Sequence, residues 1–258
     1  MTRRLLPRRG SLARRRLVAG TALALALTAL YVDPRAAQPP RHRASPQATT
    51  RAPVEPPSTA SVTGRGHRAP FEAALPGTVT LVTDSVTLGA ASALRAALPG
   101  RQVQVLGKPA LMIDQAVPRY LPPGRRVGSV VVVGLGYNSL WERDRARFDV
   151  WAAQFDREAN ALVATLRSRG AKKIVWVTLR DPSAQVVTSG GEYQYSHYAW
   201  YFPYVNARLR ALARRDPDVT LADWAAVSNR TGLTYDLIHL DPNGARVMAH
   251  VIAGAINA

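Results

Sequence analysis

Three side chains in this sequence add up to acyl-transfer chemistry if the fold brings them together. Ser85 stands in "LVTDSVTLGA" (81–90), where an apolar run turns polar at Thr83, Asp84 and Ser85 before a small-residue, helix-forming stretch. A serine hydroxyl is a weak nucleophile until a base lies within hydrogen-bond reach and an acid orients that base. The stretch "YDLIHL" (235–240) supplies both, with Asp236 and His239 spaced so that one turn brings the carboxylate to one imidazole nitrogen and leaves the other for the serine proton. Of the five histidines, His42 and His67 fall in a Pro-rich stretch, His197 in an aromatic loop and His250 inside the last helix, so His239 alone has an acid at that spacing. A plainer use exists for each piece: Thr, Asp and Ser are ordinary helix N-caps, and Asp236 can cap a turn while His239 makes a structural hydrogen bond.

Acyl transfer also needs donors for a tetrahedral oxyanion, and loop amides with an Asn side chain are the usual supply. Asn138 lies in "GLGYNS" (134–139) directly after "VVVV" (130–133), and Gly107 follows "QVQVL" (102–106) with no side chain over its N–H. Gly-Tyr-Asn equally makes a turn, and Gly107 equally serves as a loop glycine. Candidate substrate contacts are Asp84 and Tyr137, beside the serine and the asparagine, and Tyr195 and Trp200 in "GGEYQYSHYAWYFPYVN" (190–206), whose rings could stack on sugars or pack as a surface loop. "GLG" does not complete a dinucleotide fingerprint. No metal-ligand cluster stands out and cysteine is absent, so neither a metal nor another cofactor is expected.

Positioning these groups falls to alternating strands and helices. Strands are predicted at 78–82, 102–106, 130–133, 174–179 and 219–224. An amphipathic helix carries Phe148, Trp151, Phe155, Leu162 and Leu166 on one face, with Gly170 as its C-cap. A last helix opens at "DPNG", with Asp241 as N-cap, Pro242 in the first helical position, and Val247, Met248, Val251 and Ile252 facing inward. Five buried strands separated by helices imply a parallel sheet covered on both faces, and such sheets bind ligands at the carboxyl ends of their strands. Those ends are where Ser85, Gly107 and Asn138 fall.

Charge and composition divide the 258 residues unevenly. Residues 1–70 hold 13 Lys+Arg against Asp33 and Glu55, most of the net +17. No Cys/His finger or aromatic-and-basic recognition motif accompanies that charge, so a nucleic-acid partner is not expected. An Arg-rich start followed by a 16-residue apolar run, Leu17–Val32, reads as an export signal or membrane anchor over residues 1–33. The run is a little long for a signal core and a little short for a comfortable span. Arg35 spoils an A-x-A cleavage site, which favours an uncleaved anchor. Residues 34–70, rich in Pro, Arg, Ser and Thr, carry too little apolar surface to offset the entropy of ordering and read as an extended linker ahead of a folded domain over 71–258.

The blocks "TDSVTLG", "GKPALM", "GYN" and "DLIH", in this order and after the expected strands, resemble the four blocks of the SGNH (GDSL-like) hydrolase superfamily. The resemblance implies a three-layer α/β/α sandwich of flavodoxin-like type with a five-stranded parallel sheet. It implies Ser85, Asp236 and His239 as triad, and the Ser85 amide, Gly107 and Asn138 as oxyanion hole. Thr83 stands where the family has Gly, and Ser139 follows Asn138 where many members have Asp. The expected function is removal of a small O-acyl group, foremost acetyl, from an acylated cell-envelope polysaccharide or small acyl ester. Family domains joined to membrane O-acyltransferases imply one alternative, transfer to a sugar hydroxyl beside a membrane acyltransferase partner, and the departures at Thr83 and Ser139 leave another, a degenerate module that only binds glycan.

Overall fold

β-Branched runs such as Val130–Val133 suit strands covered on both faces, and each of the five expected runs becomes one. They are β1 (Leu75–Thr83), β2 (Gln102–Gly107), β3 (Gly128–Gly134), β4 (Lys173–Val177) and β5 (Val219–Ala222). The computed structural model describes residues 72–141, 143–182 and 200–258. All strands pair in parallel, in the order β2-β1-β3-β4-β5. Thr83 lies level with Gly107 on one side and Gly134 on the other, so three strands end at one height.

The helices are α1 (Ser85–Leu88), α2 (Ala91–Ala97), α3 (Ile113–Tyr120), α4 (Phe148–Ser168), α5 (Phe202–Arg215), α6 (Trp224–Ser228) and α7 (Pro242–Asn257). On one face α2 packs against α7; α3, α4 and α5 pack in succession on the other. The expected three-layer α/β/α sandwich is the architecture observed. In α4, Phe155, Ala159, Leu162, Val163 and Leu166 are buried and Phe148 and Trp151 half-buried, each large apolar side chain that is fully buried contributing about 1.5–3 kcal/mol. Helix α7 starts as its sequence predicts: Gly244 N donates to Asp241 Oδ1 at 2.7 Å, Met248 and Ile252 are buried, and Val247 and Val251 pack at the edge of the core.

Strand ends differ from expectation for identifiable reasons. β4 stops at Val177 rather than Leu179. There the Asn206 side chain of α5 takes the place of a neighbouring strand, accepting from Leu179 N at 2.7 Å and donating to Leu179 O at 2.8 Å. β5 stops at Ala222, because Trp224 opens α6 and is fully buried there. β1 begins earlier than expected, at Leu75, through a separate pairing with Gly128 across an irregularity. Among the described residues no helix is long and apolar enough to cross a membrane. The apolar run 17–32 and the stretch 34–70 lie outside the described residues.

Candidate active site

Strand order reverses at β1 and β3, and at such a switch point two loops part and leave a crevice at the carboxyl ends. Ser85 leaves β1 there as the first residue of α1, and Asn138 leaves β3 in the adjoining loop. His239 comes from the loop ahead of α7, 154 residues away in sequence, and its Nε2 lies 3.1 Å from Ser85 Oγ. Asp236 Oδ2 lies 2.7 Å from His239 Nδ1. With the imidazole proton on Nδ1 and donated to Asp236, Nε2 is the acceptor for the serine hydroxyl. The Asp236 hydrogen bond lifts the His239 imidazole above its ordinary pKa against the opposing pull of burial, and the charges of Asp236 and Asp84 add to the lift. Burial pushes Asp236 upward, but its bonds from the His239 ring and from the His239 and Ile238 amides outweigh it and hold the carboxyl below its usual range.

The loop bearing this pair is fixed by its own sequence. Asp236 Oδ1 accepts from Ile238 N at 3.1 Å and His239 N at 2.7 Å, an Asx turn that leaves Oδ2 for the ring. Leu237 takes a left-handed conformation, φ 70°, to close that turn, and Thr234 bridges Leu240 below it. Arg180, buried three residues past the end of β4, ties the loop down by donating to Thr234 Oγ1 and to Arg230 O. Sequence reasoning missed this arginine, since nothing but burial separates it from the many surface arginines.

Asp84 does not face a ligand. It is fully buried, with Oδ1 accepting from Val86 N at 3.1 Å and Oδ2 from Asn138 Nδ2 at 3.2 Å. Burial pushes its carboxyl up to about 7, against the Val86 amide, the His239 charge and the Asn138 amide. The expectation that Asp84 contacts substrate is therefore corrected, because the side chain points under the site rather than into it. Tyr137 lines the pocket with its ring, but its hydroxyl accepts from Arg180 N at 2.6 Å on the buried side. Burial raises that phenol further above its ordinary pKa.

Ser85, Val86, Tyr137, Asn138, Trp141, Phe202, Ile238 and His239 line a small cavity of about 30 Å³. Gly107 is not among its walls. It sits beside Thr83, where an added Cβ would meet Thr83 O at 2.2 Å and Thr83 Cγ2 at 2.7 Å. The missing side chain of Gly107 thus leaves room for Thr83, and Thr83 Oγ1 donates to Asp84 O at 2.9 Å. Ser139 Oγ is buried without a hydrogen-bond partner among the described residues. Trp200 packs edge-on against Phe148 and Tyr201, under Arg145, rather than lining the cavity. Tyr195 lies outside the described residues. Tyr235, which the sequence did not single out, is 73% exposed and stacks on the His239 ring with centroids 5.9 Å apart. A larger hollow of about 740 Å³ opens at the opposite, amino-terminal rim beside Glu72 and Arg167, far from the serine.

No known family profile matches this chain, and no curated protein matches it in sequence. Solved structures do. The acetyl xylan esterase AlAXEase overlays with TM-score 0.54 at 18% identity, covering 69% of this chain and 99% of its own. A GDSL-like lipase from Bacteroides thetaiotaomicron overlays with TM-score 0.52 at 15% identity, covering 70% and 88%. The C-terminal catalytic domain of peptidoglycan O-acetyltransferase A from Streptococcus pneumoniae, at 20% identity, covers 72% and 94% with TM-score 0.49. With its five parallel strands in the order β2-β1-β3-β4-β5 and these structural counterparts, the chain has the fold of the SGNH (GDSL-like) hydrolases.

Proposed function

We propose that the protein is a serine acyl-ester hydrolase that removes a small O-acyl group, foremost acetyl, from a cell-envelope glycan. The observation that carries the proposal is the relay from Asp236 to His239 to Ser85, two hydrogen bonds of 2.7 and 3.1 Å assembled from distant parts of the chain at the switch point of the sheet. His239 Nε2 takes the hydroxyl proton as Ser85 Oγ bonds to the acyl carbon. The oxyanion is held by Asn138 Nδ2 with the Ser85 amide, both at the cavity; the resemblance adds the Gly107 amide, which stands outside the cavity walls beside Thr83. His239 then returns the proton to the departing sugar oxygen as the ester bond breaks, leaving acyl-Ser85. A water deprotonated by His239 releases the acid and restores the serine.

The small cavity beside Ser85 favours a short acyl tail, and the acetyl xylan esterase of like fold is a precedent for acetyl on a glycan. The Arg-rich start and apolar run of residues 17–32 support export, with the chain tethered to the membrane or released after cleavage. Intact-mass spectrometry after exposure to a chromogenic acetyl ester tests the reading. An acetyl adduct at Ser85, absent in Ser85→Ala, is expected. Added glycan acceptors then separate loss of the adduct to water from transfer to a sugar hydroxyl. Absence of both adduct and turnover across short acyl esters would leave a glycan-binding module in place of an enzyme.

A further inference from the structure

Asn138 presents a problem that its own loop does not solve. A side-chain amide has a donor end and an acceptor end of nearly the same shape, and only the donor end stabilises an oxyanion. Whatever specifies which end faces the site therefore matters as much as the asparagine itself. The group in contact with Asn138 Nδ2 is Asp84 Oδ2, at 3.2 Å, on a carboxylate with no exposure to solvent. Its other oxygen accepts from Val86 N at 3.1 Å, inside the turn that carries Ser85.

From this arrangement we infer that Asp84 is a positioning residue: its carboxylate orients the Asn138 amide, one N–H on Asp84 and the second turned into the cavity beside Ser85, and locks that amide to the nucleophile's own turn. The inference rests on the oxyanion role given to Asn138 above. Its physical basis is that Oδ1 already accepts from Val86 N and Oδ2 from Asn138 Nδ2, and that above about pH 7, where the carboxyl is ionised, it has no proton to offer an amide oxygen. With both oxygens committed to N–H donors, an amide turned the other way would set two acceptors against each other at a carboxylate buried from solvent. The isosteric Asp84→Asn offers a single oxygen. It serves either Val86 N or Asn138 Nδ2, and the donor left over faces another donor.

The test is a double-mutant cycle on the full chain, read as kcat and KM with a short acyl ester. Asn138→Ala is expected to lower kcat by roughly 10²–10³-fold, the scale for loss of one oxyanion donor. Asp84→Asn in the wild-type background is expected to lower kcat by at least tenfold with KM nearly unchanged. In the Asn138→Ala background the same change is expected to cost less than twofold, since nothing remains to orient. An Asp84→Asn effect of equal size in both backgrounds, or wild-type kcat in Asp84→Asn, overturns the inference while leaving the oxyanion reading intact. Wild-type turnover in Asn138→Ala overturns the oxyanion reading, and the inference falls with it. Should Asp84→Asn fail to fold, nitrogen-15 NMR of the unmodified protein decides. One of the two Asn138 side-chain amide protons should be shifted by its carboxylate bond and slow to exchange, and two protons exchanging as freely as an exposed amide would reject the inference.

Discussion

Asp84 and Asp236 divide their oxygens in the same way. In each, Oδ1 accepts the backbone N–H two residues on, from Val86 or Ile238, and Oδ2 takes a side-chain nitrogen that stands beside Ser85, from Asn138 or His239. Their surroundings separate them. Asp84 is sealed beneath the sheet rim and burial drives its carboxyl to about 7, whereas Asp236 keeps some solvent and its N–H donors hold it below the usual range. The lesson is that geometry of one kind can hold two different partners, a neutral amide and a ring that must accept charge. The partner that becomes cationic is given the carboxylate that stays ionised.

The largest effect is expected at that ionised carboxylate. Asp236→Asn should lower kcat by about 10⁴-fold, as the imidazole loses the group that sets its tautomer. Because Asp236 holds His239 above its ordinary value, its removal should also move the acid limb of kcat/KM toward lower pH, where a less basic imidazole is already neutral. A limb that stays in place would show that Asp236 does not govern His239.

A second prediction opposes the two carboxylates directly, through stability measured by thermal unfolding against pH. Asp84 keeps its proton up to about 7 when folded but releases it near 3.8 when unfolded. Between those values the unfolded chain binds fewer protons, so this group makes stability fall as pH rises. Asp84→Asn should flatten that descent. Asp236 has the opposite sign, since its folded value is depressed. Its contribution is present above the unfolded value and lost as pH falls through the folded one, and Asp236→Asn should remove that acid-side loss. Because the raised His239 adds a descent of the same sign, it is a descent of unchanged size in Asp84→Asn that would mean that Asp84 ionises freely in its buried place.

The smallest effect is expected at Tyr235, next to Asp236 and stacked on His239. Loss of an exposed ring that meets a sugar costs about 1 kcal/mol, so Tyr235→Ala should raise KM for acetylated glycans several-fold. The same variant should leave kcat, and KM for a small acyl ester, near their wild-type values. A fall in kcat would place Tyr235 among the supports of His239 instead.

The serine turn, the DxxH pair and the five strands were legible because each is written locally, in an apolar run, a polar break or a fixed spacing. The inward aim of Asp84 was not. Adjacent residues in "TDS" look alike as polar groups, and only the register of β1 against its neighbours decides which of them sinks beneath the rim. Arg180 and Asn206 escaped for a related reason, since each is a polar residue whose partners come from other elements: Thr234 and Arg230 for the first, Leu179 for the second. Thr83 was legible as a departure from the pattern the sequence resembles, but its accommodation by Gly107 depends on a neighbour across the sheet.

The chain enters the sheet at the rim farthest from the serine. Glu72 N donates to Ser168 O, Leu75 N donates to Val127 O, and β1 then runs nine residues, roughly 30 Å of extended chain, before Ser85 is reached. A tether fixed at Glu72 itself would therefore hold the sheet by the end opposite Ser85 and leave the carboxyl ends of the strands, with the Ser85–His239 pair, turned away from the point of attachment.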